Sequence, residues 1–275
     1  MCRHYAYLGT PASLRELILE PPHGLYRQSW APRRQAHGTV NADGFGIGWY
    51  AEDDPVPARY RRDIPIWNDE SLPGIARVIR SGAVLAAVRS ATAGTAAGEA
   101  AAAPFGAGTW LFSHNGVLSK WREFEPPLGV RLNDLEALTD SALLWALVLR
   151  QLRAGKAMDR ALATVIAEVE SAGGSGRFNF LLTDGKSIAA TAAGDTLWYR
   201  RAGGDVTVAS EPTDDLAGWA EVPDRHLLTA GPGEVSIRPL TAAPSVQPPP
   251  AASDATAAEA APVTPAATAT EGAAS

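Results

Sequence analysis

The sequence predicts a layered α+β domain in which helices cover antiparallel sheets. Three observations carry this. Short strand patterns open the chain, two long apolar-faced helices follow from residue 133, and a run of strands separated by hairpin turns comes after them. The order is not the alternation of strand and helix that a parallel, nucleotide-binding sheet requires.

Residues 2–8 alternate as a strand and stop at Gly9, so the chain begins inside a sheet. Residues 11–19 place Leu14, Leu17 and Ile18 on one helical face, and residues 45–50 read as a strand after a turn at Asp43-Gly44. Residues 72–80 form a short helix interrupted by Pro73 and Gly74. The apolar runs AVLAAV (83–88) and TWLFS (109–113) have the length of buried strands and end on polar residues, as a strand does at the mouth of a site. Helices are predicted over 133–152 and 156–170, with a break at Gly155 that makes them an antiparallel pair. Beyond Gly173-Gly174, strands at 177–183, 187–192, 196–200 and 206–210 are linked through turns at Asp184-Gly185 and Gly203-Gly204, which reads as a meander.

Composition limits the function. Of 275 residues, 46% are hydrophobic and 20% charged, enough for a sizeable core. Thirty acidic against 24 basic residues give a formal charge of -6, which disfavours nucleic acid and anionic membranes as partners. The chain has neither an apolar run of the roughly 18 residues that a membrane span needs nor a signal-peptide core, so a cytoplasmic location is expected. Cys2 is the single cysteine, which excludes an intrachain disulfide. Residues 241–275 contain 14 Ala and 6 Pro and lack aromatic and basic residues; that composition predicts a disordered tail behind one catalytic domain over residues 1–240.

Several motif-like patterns carry no chemistry. Gly44, Gly46 and Gly48 lead into an aromatic strand instead of a helix, so they are not a dinucleotide fingerprint. Gly185-Lys186-Ser187 lacks the leading glycine of a phosphate loop. His4, His23, His37, His114 and His226 show no metal-ligand spacing; neither metal nor cofactor is expected.

A different set does carry chemistry. Aminopeptidases remove an initiator Met when the second side chain is small, which would leave Cys2 with a thiol and an α-amine on one residue. With reference pKa values of about 8.5 for the thiol and about 8 for the amine, the amine can take the thiol proton. Ser113-His114-Asn115-Gly116 offers an Asn amide and a Gly backbone N–H as oxyanion donors; the same residues also fit an Asn-Gly turn. Arg89, at the end of AVLAAV, suits a carboxylate clamp or an exposed ion pair. Asp140, in Thr139-Asp140-Ser141, suits an ammonium partner, a polar contact within the helix or a cap.

The N-terminal Cys with NADGFG, RSAT, SHNG and TDS, in that order, resembles the class II glutamine amidotransferases, which are N-terminal-nucleophile hydrolases. More closely, MCRH, SWAPRRQAHGTVNADGFGIGWY, AAVRSAT, SHNGVL, TDSALL, ASEPTDD and PDRHLL are similar to the stand-alone branch of that family acting in ergothioneine biosynthesis. The resemblance covers residues 1–240 and implies a four-layer αββα sandwich. It implies hydrolysis of the γ-glutamyl amide of γ-glutamyl hercynylcysteine S-oxide, or alternatively a stand-alone glutaminase or amidotransferase subunit. By the same resemblance Cys2 is the nucleophile, and Asn115 and Gly116 hold the oxyanion. Arg89, with Thr92 beside it, holds the substrate α-carboxylate, and Asp140 the α-ammonium. A small γ-glutamyl substrate, and weak association with enzymes of the same pathway, are the partners it implies. Where ammonia-transferring members have Arg-Trp-Ala-Thr-His, this chain has Ser90 for the Trp and Ala93 for the His, so contacts of those two side chains do not carry over.

Overall fold

The structure is a computed structural model that describes residues 2–240 except His37, Thr39, Thr92 and Ala93. The expectation of a disordered tail at 241–275 lies outside the described residues.

Strand β1 (Arg3–Ser13) is followed by a π-helical turn at Arg15–Leu19 and the single-turn helix α1 (Leu25–Gln28). The helix expected over 11–19 is therefore shorter than its pattern: after an irregularity between Leu8 and Ala12, β1 resumes and pairs Ala12 and Ser13 with Ser81 and Arg80. Leu14, Leu17 and Ile18 are nevertheless buried on one side, as the periodicity required. β2 (Phe45–Ala51) forms a hairpin with β3 (Asp54–Arg62), a strand hidden in the sequence by Pro55 and Pro57. Proline removes a ladder donor, and β3 can carry two because it is an edge strand. In α2 (Leu72–Val78), Pro73 does not interrupt the helix: it lies in the first turn, where a missing N–H costs nothing.

β4 (Arg80–Val88), β5 (Phe105–Ala107) and β6 (Trp110–Leu118) come next, followed by the short α3 (Glu125–Leu128). The first long helix, α4 (Asp140–Arg153), begins seven residues later than its apolar pattern suggested. Thr139 has extended backbone, and its Oγ1 accepts the Ala142 N–H at 3.0 Å, so this cap sets the start. α5 (Met158–Ser171) packs beside α4. The remaining strands are β7 (Gly176–Thr183), β8 (Ile188–Ala192), β9 (Trp198–Ala202), β10 (Asp205–Ala209), β11 (Trp219–Glu221), β12 (His226–Gly231) and β13 (Glu234–Pro239).

These strands make two antiparallel sheets, with orders β11-β9-β10-β1-β4-β2-β3 and β13-β12-β8-β7-β6-β5. The strands after residue 176 are antiparallel as expected but are not one meander: β7 and β8 belong to the second sheet, β9 and β10 to the first. Alternation along each strand then builds the layers. Ala6, Leu8, Leu85, Val206 and Val208 of the first sheet meet Leu111, Leu181, Ala190 and Leu228 of the second. The outer face of the first sheet (Tyr5, Tyr7, Phe45, Val84) is covered by Leu14, Ile18, Leu25 and Leu72. That of the second (Phe112, Phe178, Phe180) is covered by Leu143, Leu144 and Leu147 of α4 and Val165 of α5. The result is a four-layer αββα sandwich.

Candidate active site

The pairing of the central strands assembles the site. Arg3 lies opposite Val88, which places Cys2, one residue earlier, beside the end of β4 where Arg89 and Ser90 follow. The Cys2 thiol approaches the Ser90 carbonyl at 3.9 Å. From the second sheet, β6 contributes His114 and Gly116, and the first turn of α4 contributes Asp140 and Ser141. One cavity is bordered by Cys2, Arg89, His114, Gly116, Asp140 and Ser141, so residues separated by up to 139 positions converge on it.

The Asn-Gly turn does not form. Asn115 pairs with Asn179 and Gly116 with Phe178 inside the β6–β7 ladder. Gly116 is required sterically: a Cβ there would overlap the Arg177 carbonyl and lie 2.6 Å from His114 Nε2. Asn115 itself is fully buried, and its Nδ2 makes a 3.5 Å contact with Ser210 Oγ, at the limit of a hydrogen bond. Its side chain is thus turned toward Ser210, one residue along the strand from the cavity wall.

Arg89 is neither an exposed ion pair nor unheld. Its Nη1 donates to the Asp43 carbonyl at 3.2 Å, and its Nη2 to Thr95 Oγ1 at 3.1 Å and the Ala96 carbonyl at 2.8 Å. Among the described residues no carboxylate lies within ion-pair distance of it. A buried guanidinium, 8% exposed and held by neutral acceptors at a cavity, is available to an anionic ligand. Asp140 is the first residue of α4, and its oxygens accept backbone N–H groups from Ser141 (2.9 Å) and Leu118 (3.0 Å). Both hydrogen bonds leave acceptor capacity on the carboxylate for a cation in the cavity. Thr92 lies outside the described residues.

Burial pushes the Cys2 thiol above its ordinary range, against the pull of Arg89. His114, also buried, is held below the usual imidazole value although Asp140 acts in the opposite direction. Sequence reasoning gave His114 and Ser141 no role; their place inside SHNG and TDS was the available signal. Among the described residues, no group of three or more His, Cys, Asp or Glu side chains is placed to hold a metal ion, and no helix is long and apolar enough to cross a membrane.

A thiol, a cation and an anion around one cavity, next to a strand-borne Gly N–H in an αββα sandwich, have the layout of an N-terminal-nucleophile hydrolase. The class-II glutamine amidotransferase family matches residues 25–203, and the chain belongs to that family. It is 45% identical over 240 residues to the gamma-glutamyl-hercynylcysteine sulfoxide hydrolase of Mycolicibacterium smegmatis, covering 87% of this chain and 100% of that protein. The protein of the same name from Mycobacterium tuberculosis H37Rv is 41% identical over 240 residues, covering 87% of this chain and 97% of its own. Among solved structures, the glutamine aminotransferase class-II domain protein from Silicibacter pomeroyi superposes with a TM-score of 0.63 at 25% identity, covering 87% of this chain and 100% of that one.

Proposed function

We propose that this chain is an amidohydrolase that cleaves the γ-glutamyl amide of γ-glutamyl hercynylcysteine S-oxide, releasing glutamate and hercynylcysteine S-oxide. The observation that carries the reading is the one cavity that Cys2 borders together with Arg89 and Asp140, in a chain alike over 240 residues to two hydrolases of that name. Arg89 and Asp140 offer opposite charges to the two charged groups on the α-carbon of a glutamyl unit, which favours γ-glutamyl over ordinary amides.

The reaction divides into two acyl transfers. With Met1 removed, the Cys2 α-amine takes the thiol proton and sulfur attacks the γ-carbonyl carbon. The oxyanion is stabilised by the Gly116 N–H and by the Asn115 amide, which gives up only a weak contact with Ser210 to reach it. Collapse breaks the C–N bond, the proton passes to the departing amine and a thioester remains. Water, deprotonated by the same α-amine, attacks the thioester; glutamate leaves and the thiol regains its proton. Thr92 joins Arg89 at the α-carboxylate in this reading. We place the enzyme in the cytoplasm, with residues 1–240 as the catalytic domain and 241–275 as a tail dispensable for turnover.

The test is glutamate release from γ-glutamyl hercynylcysteine S-oxide and from glutamine by the purified chain, with Cys2→Ala as control. Strong preference for the sulfoxide with loss in Cys2→Ala is expected. Preference for glutamine would make the protein a glutaminase or amidotransferase subunit, and full activity of Cys2→Ala would remove the thiol from the mechanism.

A further inference from the structure

His114 has a fixed tautomer. Its Nε2 lies 2.9 Å from the Arg177 carbonyl, which can only accept, so the ring proton is on Nε2. Its Nδ1 lies 3.0 Å from Ser141 Oγ. In the neutral ring Nδ1 has a lone pair and no proton, so the Ser141 hydroxyl must donate to it. Burial supports that neutral state, and the ring is also packed edge-on against Phe180, 5.4 Å between centroids, which fixes its plane. The consequence falls on Ser141, which borders the cavity beside Asp140. With its single proton committed to His114, its oxygen has only lone pairs to offer a ligand.

We propose that Ser141 is a specificity-determining acceptor for the α-ammonium of the glutamyl group, paired with Asp140, and that His114 is the positioning residue that makes it one. A group able only to accept favours an N–H donor and penalises a ligand lacking one, because the oxygen is then left without its partner. Asp140 supplies charge and Ser141 direction. The inference rests on the γ-glutamyl reading above and adds to it a second contact to the same nitrogen.

The test is calorimetric binding of L-glutamate and of glutarate, its counterpart without the α-amine, to the full chain and to Ser141→Ala, Ser141→Thr and His114→Phe. Wild type is expected to prefer glutamate. Ser141→Ala should lose about tenfold of that preference, as expected for a hydrogen bond to a charged group, with glutarate affinity no lower than in wild type. Ser141→Thr, which keeps the hydroxyl, should restore the preference, and His114→Phe should reduce it. Ser141 is half-buried at the helix start, so the alanine variant does not depend on refilling a core. An unchanged preference in Ser141→Ala would overturn the inference, as would equal loss of glutamate and glutarate. Glutamate release by wild type separates the two levels: release with an unchanged preference in Ser141→Ala refutes only the Ser141 contact, whereas no release and no glutamate preference refute both.

Discussion

The Leu118 N–H donates to Asp140 Oδ2 at 3.0 Å, which ties the strand carrying Asn115 and Gly116 to the helix that places a negative charge at the cavity. In the proposed reading the carboxylate has two duties: it offers charge to a ligand, and it holds α4 against β6 while accepting the Ser141 N–H at the helix start.

Asp140→Ala should therefore lower stability as well as substrate affinity. Two charge-assisted hydrogen bonds vanish and the buried Leu118 N–H loses its acceptor, a loss of about 2–4 kcal/mol by the usual range for such groups. Asp140→Asn, with one carbonyl oxygen for two donors, should fall between. Urea midpoints read beside KM check this; an Asp140→Ala chain as stable as wild type would reduce Asp140 to a ligand contact alone.

Two buried histidines set an acid limit to stability. His4 is fully buried, neither of its ring nitrogens has a hydrogen-bond partner among the described residues, and burial pushes its pKa well below the ordinary value, with His114 and Arg3 adding repulsion. Burial lowers His114 too. Both groups bind a proton more readily unfolded than folded, so their contribution is complete above the unfolded pKa of about 6.5 and declines as pH falls from there toward the folded values. Each removes about 1.4 kcal/mol per pH unit within that window. Urea midpoints at pH 7.5, 6.5 and 5.5 should fall mainly between the last two, and His4→Gln should flatten that fall. A decline of the same slope in His4→Gln would assign it to other groups.

The sequence made the layers legible wherever alternation was clean. AVLAAV announced β4 because its residues are buried on both faces of a central strand, and TWLFS announced β6. It did not announce β3, where Pro55 and Pro57 break the signal on an edge strand that needs few donors. The beginning of α4 was misread because Leu135 and Leu138 continue an apolar pattern that backbone geometry ends at Thr139. At the site, motif order points to Cys2, Arg89, Gly116 and Asp140, and these four border one cavity. It does not point to Ser141, because its importance depends on a tautomer that Arg177, 36 positions further on, imposes through the fold. Turn chemistry misled at Asn115-Gly116: that dipeptide serves a close strand contact where a hairpin was the simpler local solution.

That close contact yields the sharpest structural prediction. At Gly116, β6 passes the Arg177 carbonyl so closely that a methyl group overlaps it, and the other neighbour, His114 Nε2, is fixed by its bond to the same carbonyl. Neither obstacle is the free end of a flexible side chain, so Gly116→Ala must push β6 and β7 apart at the point where the proposed oxyanion donor lies. Overpacking of this kind costs about 1–3 kcal/mol. It should also displace the Gly116 N–H, and loss of an oxyanion donor lowers kcat by about 100-fold or more. Gly116→Ala should thus show a lower urea midpoint and a collapsed kcat while glutamate binding falls less, since Arg89 and Asp140 are on other elements. A variant with wild-type kcat would show that the backbone at Gly116 takes no part in stabilising the oxyanion.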